Sequence, residues 1–277
     1  MKKIVLFLLA LSIFLGAGAA AAEGSMVLGE PFPDFSVRDT EGKTFTLSKA
    51  LEKYEAVVIN IWATWCPPCE MEFPHLNEVY KEYKGRVAFI ALSCDPEDTL
   101  RKIELYRRLH GISFPMGQDQ NYQLAMFING GMAIPATVVV DRFGCAGFTQ
   151  TGMFTDASQV SRVLDCFLGD GYTVPAVLDA VPADVPEGSA RSYTIRVSGP
   201  DGDPVPGVSV SFCTDESCVM CESDENGIIS FRGAPDNYHV QLVDVPDGWI
   251  ADGGSDFYTG YALTQWVLKL GREGGSR

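Results

Sequence analysis

The chain contains the run Val57-Val58-Ile59-Asn60-Ile61-Trp62-Ala63-Thr64-Trp65-Cys66-Pro67-Pro68-Cys69. Its first five residues are mostly apolar and β-branched, which predicts a strand buried on both faces. The helical pattern begins only after the second cysteine, so Cys66 and Cys69 open a helix. Side chains three residues apart in a first turn have Cβ atoms about 5–6 Å apart. A disulfide can close from that separation with modest adjustment.

The position of these two thiols favours redox chemistry. A disulfide between them closes a very small ring, and chain-entropy arguments give small rings little stabilising effect. Free backbone N–H groups and the macrodipole at a helix N-terminus favour a thiolate. We therefore expect a lowered pKa for the nucleophile, Cys66, with Cys69 as the shielded resolving thiol. A structural disulfide and half of a zinc site are the alternatives. No second Cys-x-x-Cys or His pair stands at metal spacing, so no metal site is predicted.

Length, charge and the first residues suggest an exported protein of two domains. The chain has 277 residues, which is long for one domain. Residues 1–22 are typical of a signal peptide, with two lysines, an apolar run and a small-residue end. An uncleaved anchor over residues 4–22 is the alternative. The formal charge of −15 argues against nucleic acid as a partner. Eight cysteines in an exported chain suggest an oxidising, extracytoplasmic location.

The pattern around the cysteines predicts an α/β domain over residues 23–169. Further buried strands are predicted at 86–93 and 136–141, a hairpin at 145–152, and helices at 98–111 and 157–168. This order predicts a mixed central sheet flanked by helices, with the ends of its parallel strands at the pole of the cysteine pair.

The composition changes after this domain. Residues 170–192 are rich in Pro, Ala, Asp and Gly and are typical of a linker. Residues 193–277 contain short alternating segments separated by turns, at the spacing of a β-sandwich. The second domain is therefore predicted to be all-β and smaller than the first.

Residues 58–69, followed by Glu72-Phe73-Pro74, resemble the TlpA/ResA branch of the thioredoxin-like thiol-disulfide oxidoreductases, a superfamily that includes AhpC/TSA-type domains. The motifs at residues 29–35 and 134–137 also match this family, and the resemblance covers about residues 27–169. The resemblance implies a thioredoxin-like fold and thiol–disulfide exchange. It implies no cofactor other than the redox-active disulfide itself.

The resemblance also assigns roles to residues near the pair. It implies that Glu72 is buried and tunes the protonation of the cysteines, although the helix pattern alone favours a solvated glutamate. It implies a cis bond between Ile134 and Pro135, although such a bond at a strand entry is usually trans. Trp65, Ile134 and Pro135 would then bind an extended substrate. The implied partners are exported protein disulfides, including apocytochromes, and a membrane thiol-electron donor of the CcdA/DsbD type.

A second likeness concerns the C-terminal domain. Residues 203–210, 224–227 and 235–238 resemble the transthyretin-like modules of carboxypeptidase regulatory domains and bacterial surface proteins. Such modules serve as spacers or binding units. The resemblance therefore implies no reaction for this domain.

Six cysteines remain outside the pair. Cys145 and Cys166 are predicted at the far pole of the first domain, and we propose them as a structural disulfide. Three more, at positions 213, 218 and 221, lie in one predicted loop. Two of them would form a local bond, and the third would stay free or pair elsewhere. Cys94, directly after the second strand, is a third redox thiol, a buried small residue or a structural half-cystine.

The leading functional prediction is an exported thiol-disulfide oxidoreductase that acts more as a reductase than as an oxidant. A thiol peroxidase is one alternative, but Ala63 stands where the peroxidase Thr-x-x-Cys arrangement has its threonine. A surface binding or scaffold protein, with the β domain as its functional part, is the other. The direction of electron flow depends on the reduction potential of the Cys66–Cys69 couple.

Overall fold

The structure is a computed structural model that describes residues 25–131, 133–169, 172, 174–178, 180–181, 190–234, 236–251, 256–259 and 264–274. The predicted signal peptide, or anchor, lies outside the described residues. Among the described residues, no helix combines the length and the apolar character that crossing a bilayer requires.

The N-terminal half is an α/β unit. Its strands are β1 (Ser36–Arg38), β2 (Thr44–Thr46), β3 (Ala56–Trp62), β4 (Val87–Ser93), β5 (Met116–Gln118), β6 (Ala136–Asp141) and β7 (Ala146–Thr151). Its helices are α1 (Leu47–Leu51), α2 (Pro67–Glu82), α3 (Leu100–Leu109), α4 (Gln123–Asn129) and α5 (Ala157–Asp165), with a 3-10 turn at Gln120–Tyr122.

A five-stranded sheet forms the centre of this unit, in the order β5-β4-β3-β6-β7. Strand β3 runs parallel to β4 and antiparallel to β6. Every residue of β3, β4 and β6 is buried, because these strands are covered by packed side chains on both faces. One hydrophobic cluster contains Trp62 and Phe73, and a second contains Ile61 and Leu124. The mixed sheet flanked by helices is the predicted thioredoxin-like fold class.

The C-terminal half is built of strands. They are β8 (Ala176–Val177), β9 (Arg191–Ser198), β10 (Ser209–Cys213), β11 (Cys218–Glu222), β12 (Ile228–Gly233), β13 (His239–Asp244), β14 (Trp249–Ala251), β15 (Asp256–Tyr258) and β16 (Gln265–Arg272). One sheet has the order β11-β10-β13-β15, and the other has the order β12-β9-β16-β14 with β8 against β16. Side chains of both sheets meet in one core, where the rings of Tyr193 and Phe212 lie 6.3 Å apart. The predicted all-β part is therefore present.

The two halves are joined along the edge of the central sheet. Strand β8 pairs with β16 of the C-terminal half, and the next residue, Leu178, donates its N–H to the Gly147 carbonyl in β7 at 2.8 Å. The Glu30 carboxylate forms ion pairs with Arg196 at 3.4 Å and Lys269 at 3.2 Å. The segment predicted as a linker thus contains a strand that contacts both halves.

The predicted disulfide between Cys145 and Cys166 is wrong, because both residues carry free thiols. Both are buried, and burial raises the pKa of each thiol to about 12. The Cys166 thiol donates to the Arg162 carbonyl of its own helix at 3.1 Å. Cys145 follows the turn after β6, where its N–H donates to the Asp141 carboxylate at 2.8 Å. The two thiols therefore belong to different local structures.

The three C-terminal cysteines do not lie in a loop, since two of them are on strand β11. Cys213 at the end of β10 forms a disulfide with Cys218 at the start of β11. Cys221 keeps a free, half-buried thiol. The local bond expected in this region is therefore the link across the β10–β11 hairpin.

Candidate active site

The pair Cys66–Cys69 lies at the junction of β3 and α2. Strand β3 ends at Trp62, and α2 begins at Pro67 with Cys66 as its N-terminal cap. The structure holds the two cysteines as a disulfide with Cα atoms 5.3 Å apart. Cys66 retains 4% of its surface exposed and Cys69 none. Cys66 is therefore the one cysteine of the pair that retains any exposed surface.

The helix start supplies the electrostatics of the pair. The N–H of Cys69 donates to the Cys66 sulfur at 3.3 Å, the contact by which a helix N-terminus stabilises a thiolate. The prolines at positions 67 and 68 occupy the first turn, where a missing N–H costs no helical hydrogen bond. The arrangement favours Cys66 as the attacking thiolate.

The loop before the pair is anchored by Asp98, which has no exposed surface. Its carboxylate accepts hydrogen bonds from the Thr64 N–H at 2.8 Å, the Thr64 hydroxyl at 2.6 Å and the Ser93 hydroxyl at 2.6 Å. Lys102 forms an ion pair with it at 2.5 Å. Burial alone would raise the pKa of Asp98, but these bonds outweigh burial and hold the pKa below its ordinary value. A charged carboxylate with several hydrogen bonds therefore holds the loop before Cys66 in place.

Trp65, beside the nucleophile, presents its ring to solvent. The side chain is 64% exposed, and its indole N–H donates to the Asp95 carboxylate at 2.5 Å. An exposed aromatic ring held by a polar contact at one end is suited to contact a partner molecule. The geometry is compatible with the predicted substrate-binding role.

Glu72 lies one turn along α2 from Cys69 and is fully buried. Its two carboxylate oxygens accept from the Phe154 N–H and from the Asn60 amide, both at 3.0 Å. The same Asn60 amide also donates to the Thr137 hydroxyl at 3.0 Å. Burial raises the pKa of Glu72 from 4.5 to about 7, and the two hydrogen bonds offset part of that rise. The carboxyl group therefore changes charge near neutral pH.

The bond between Ile134 and Pro135 is cis. The register of β6 against β3 pairs Ala136 with Ile61. Pro135 therefore stands opposite the end of β3, where the chain turns toward Cys66. The Pro135 carbonyl accepts from the Gly152 N–H at 2.8 Å. Half-buried Ile134 packs on both hydrophobic clusters, in the place that the resemblance implies for the substrate edge.

Cys94 follows β4, and its N–H donates to the Trp62 carbonyl at 2.9 Å. Its side chain belongs to the cluster of Ile61 and Leu124, whereas Cys66 and Cys69 belong to the cluster on the other face. Burial raises the pKa of the Cys94 thiol to about 11. These features match a buried small residue and oppose a third redox thiol.

The structure thus brings the predicted residues to one end of the sheet: Cys66, Cys69, Glu72, Trp65, Ile134 and Pro135. The sequence interpretation missed Asn60 and Asp98 as parts of this site. A polar residue inside the apolar run of β3 was a signal for Asn60, because a buried amide needs partners. Asp98 stands among acidic residues after β4, but its bonds to Thr64 cross 34 positions of sequence and had no local signature. Among the described residues, no group of three metal-ligating side chains is present.

The sheet, the cysteine pair at a helix start and the cis-proline opposite it together define a thioredoxin-like thiol-disulfide oxidoreductase. Residues 28–145 match the model of the AhpC/TSA family. The thiol-disulfide oxidoreductase ResA of Bacillus thuringiensis (strain Al Hakam) is 33% identical over 146 residues, which are 52% of this chain and 82% of that protein. This chain belongs to the ResA family of thiol-disulfide oxidoreductases.

Two further proteins illustrate the similarity. The ResA protein of Geobacillus thermodenitrificans (strain NG80-2) is 30% identical over 157 residues, covering 56% of this chain and 88% of the relative. The crystal structure of StoA from Bacillus subtilis matches with a TM-score of 0.40 and 21% identity, covering 48% of this chain and 96% of that chain.

Proposed function

We propose that this oxidoreductase is exported and reduces disulfides of other exported proteins. The observation that carries the proposal is the disulfide at the start of α2, in which Cys66 keeps 4% of its surface exposed and Cys69 keeps none. The proposal includes a signal peptide at residues 1–22, a redox domain at 23–169, a linker at 170–192 and a β-sandwich domain at 193–277. The sandwich, which resembles transthyretin-like modules, would act as a spacer or binding unit.

The chemistry follows from the unequal surroundings of the two sulfurs. In the reduced protein the Cys66 thiolate attacks one sulfur of a substrate disulfide, and the other substrate sulfur leaves and takes up a proton. The Cys69 thiol then loses its proton and attacks the Cys66 sulfur. The substrate is released as a dithiol, and the protein returns to the disulfide of the structure. Glu72, which lies one turn away and has its pKa raised to about 7, is proposed to exchange the proton of Cys69.

Substrate recognition is proposed at the end of the sheet beside Cys66. Trp65 supplies an exposed apolar ring, and the backbone at Ile134, next to the cis Pro135, supplies a strand-like edge. The proposed substrates are exported proteins with disulfides, including apocytochromes. A membrane thiol-electron donor of the CcdA/DsbD type would restore the dithiol.

The charges near the pair support the reductase direction. Glu70 stands in the first turn of α2, Asp95 binds Trp65, and Glu72 lies one turn along the helix. These negative charges limit how far the helix start lowers the pKa of Cys66, and a strong oxidant of this class relies on a more strongly stabilised thiolate in its reduced form. We expect a reduction potential nearer the roughly −270 mV of thioredoxin than the roughly −120 mV of a strong oxidant. Equilibration with a dithiol buffer measures it.

The proposal is tested by insulin reduction with dithiothreitol as electron source. Wild-type protein should accelerate the precipitation of insulin chains, and Cys66→Ser should abolish the acceleration, because the attacking sulfur is lost. Cys94→Ser is the matched control and should retain full activity, since that thiol is buried on the other face of the sheet. Equal rates for wild type and Cys66→Ser would favour a scaffold function instead.

A further inference from the structure

A second disulfide lies on the surface of the C-terminal half, at the end of the β10–β11 hairpin. Cys213 and Cys218 stand directly opposite each other in the register of the two strands. The turn between them is closed by the Thr214 N–H, which donates to the Ser217 carbonyl at 2.8 Å. Cys218 is exposed, and so is every other residue of 215–220. The bond therefore lies at an accessible tip.

This disulfide stabilises the fold less than a bond between distant parts of the chain would. The two cysteines are five positions apart, so the bond closes a short loop, and the stabilisation expected from loop closure falls as the loop becomes shorter. The hairpin is already held by strand pairing that extends from Ser209 opposite Glu222 to the cysteines. The hairpin therefore has a second means of support, and the bond can open without loss of the strand pairing. Exposed disulfides are those that an attacking thiolate can reach.

The surroundings of Cys218 resemble an extended peptide offered for docking. Strand β11 is the edge strand of its sheet, so one side of its backbone is not paired within that sheet. Met220 lies on the same face as Cys218, because side chains alternate along a strand. Met220 is 56% exposed and Val219 is 44% exposed. An edge strand with an apolar side chain near an accessible sulfur fits a site that binds substrates by strand addition.

The third cysteine of the hairpin is not part of this surface. Cys221 is opposite Val210, which is 1% exposed and belongs to the core of the sandwich. Its thiol packs against that core, on the other face of β11 from Cys218. Cys221 therefore provides an internal control for any reaction at the tip.

We propose that the Cys213–Cys218 disulfide is a second exchange site, reduced by the Cys66–Cys69 dithiol of another copy of this chain. The inference rests on the proposed reductase function. The contacts between the two halves favour exchange between two copies over exchange within one copy. The Glu30 carboxylate pairs with Arg196 and Lys269, and the Glu30 carbonyl accepts a hydrogen bond from the first N–H of β7. That end of the sheet is the one away from Cys66. The C-terminal half is thus attached away from its own active pole.

In this exchange two electrons and two protons pass from the Cys66–Cys69 dithiol of one copy to the hairpin disulfide of the other. The Cys66 thiolate attacks the exposed sulfur of Cys218, and the Cys213 sulfur leaves and is protonated. Cys69 then attacks Cys66, and the Cys218 sulfur leaves and is protonated. One copy ends with the Cys66–Cys69 disulfide, and the other ends with two thiols at the hairpin tip. An external dithiol restores the first copy, as in the insulin reaction.

The first experiment traps the mixed disulfide between two full-length variants. The donor carries Cys69→Ser, Cys213→Ser and Cys218→Ser, so that its Cys66 attacks but is not resolved. The acceptor carries Cys66→Ser and Cys69→Ser and keeps the hairpin disulfide. We expect a covalent heterodimer on a non-reducing gel, with Cys66 joined to Cys218 by peptide mass mapping. Adding Cys221→Ser to the acceptor should leave the yield unchanged.

The same donor separates failure of this inference from failure of the proposed function. A donor that captures insulin chains through Cys66 but not the acceptor would overturn the inference and leave the reductase function standing. A donor that captures neither would overturn both. A single-chain link between Cys66 and Cys218, found as a monomer in a Cys69→Ser variant, would contradict exchange between copies.

The second experiment measures catalysis. Dithiothreitol reduces the hairpin disulfide of the Cys66→Ser, Cys69→Ser acceptor, and thiol labelling of Cys218 follows the reaction. A small amount of wild-type protein should accelerate the labelling by about tenfold, because it supplies an activated thiolate and a docking edge. Wild-type protein with Cys66 already alkylated should give no acceleration. Equal rates with and without active protein would refute the exchange.

Discussion

Replacing Glu72 by glutamine should change how the stability of the redox domain depends on pH. In the folded protein the pKa of Glu72 is raised from 4.5 to about 7, so the native state binds its proton more tightly than the unfolded chain. The contribution of Glu72 to the free energy of unfolding is fully present below about pH 4.5, and it is lost as the pH rises toward 7. The full shift of about 2.5 pKa units corresponds to about 3 kcal/mol.

A glutamine side chain can occupy this position with its hydrogen bonds satisfied. The Phe154 N–H would donate to the new amide oxygen as it now donates to the carboxylate. The Asn60 side-chain oxygen has no partner within the described structure. Rotation of the Asn60 amide would let that oxygen accept from the NH₂ group of the introduced glutamine and from the Thr137 hydroxyl. Glu72→Gln is therefore expected to remove the charge without opening a cavity.

The assay is urea unfolding of the oxidised protein at several pH values, followed by modification of Cys94 with a pyridyl disulfide, which also reacts with thiols in acid, and peptide mapping. Cys94 is 5% exposed in the folded redox domain, so its labelling reports unfolding of that domain alone. At pH 8 the variant should be more stable than wild type by about 3 kcal/mol, and near pH 4.5 the two should nearly coincide. Glu78→Gln, on the exposed face of the same helix, should stay within about 0.5 kcal/mol of wild type at every pH. A difference that does not change with pH would refute the raised pKa.

Contacts elsewhere in the redox domain support three more predictions. Asp98→Asn removes the charge that anchors the loop before Cys66, and urea unfolding should show a loss of about 1–3 kcal/mol. Trp65→Ala should lower kcat/KM for insulin by about tenfold, whereas reduction of a small aromatic disulfide, which needs no docking edge, should change little. Gly147→Ala would place a Cβ 2.5 Å from the Phe167 ring, so thermal unfolding should show a loss of about 1–3 kcal/mol.

Local patterns were sufficient to predict the elements around the cysteine pair. The β-branched run of β3 and the proline-rich start of α2 are signals within a few residues of sequence, and the structure has both elements. In the C-terminal half, alternation of apolar and polar residues was sufficient to predict short strands, and the structure contains them. Strand β11 was missed, because its sequence Cys-Val-Met-Cys-Glu follows a turn without glycine or asparagine.

Side-chain direction was the part that sequence patterns could not supply. Topology placed Cys145 and Cys166 in the same region of the domain, but a disulfide also requires that their Cβ atoms face each other. The burial of Glu72 came from the family resemblance, since helix periodicity alone favoured a solvated side chain. The partners of Asp98 depend on tertiary contacts, because its bonds to Thr64 join residues far apart in sequence.

The central claim is that Cys66 is an activated thiolate and Cys69 a shielded resolving thiol. It is tested most directly by the rate at which iodoacetamide alkylates each thiol of the reduced protein as a function of pH, with peptide mapping of the products. We expect Cys66 to react first, with a pKa below the ordinary value of about 8.5, and Cys69 to react only slowly. Equal labelling of both thiols, or a Cys66 pKa at or above that ordinary value, would contradict the account.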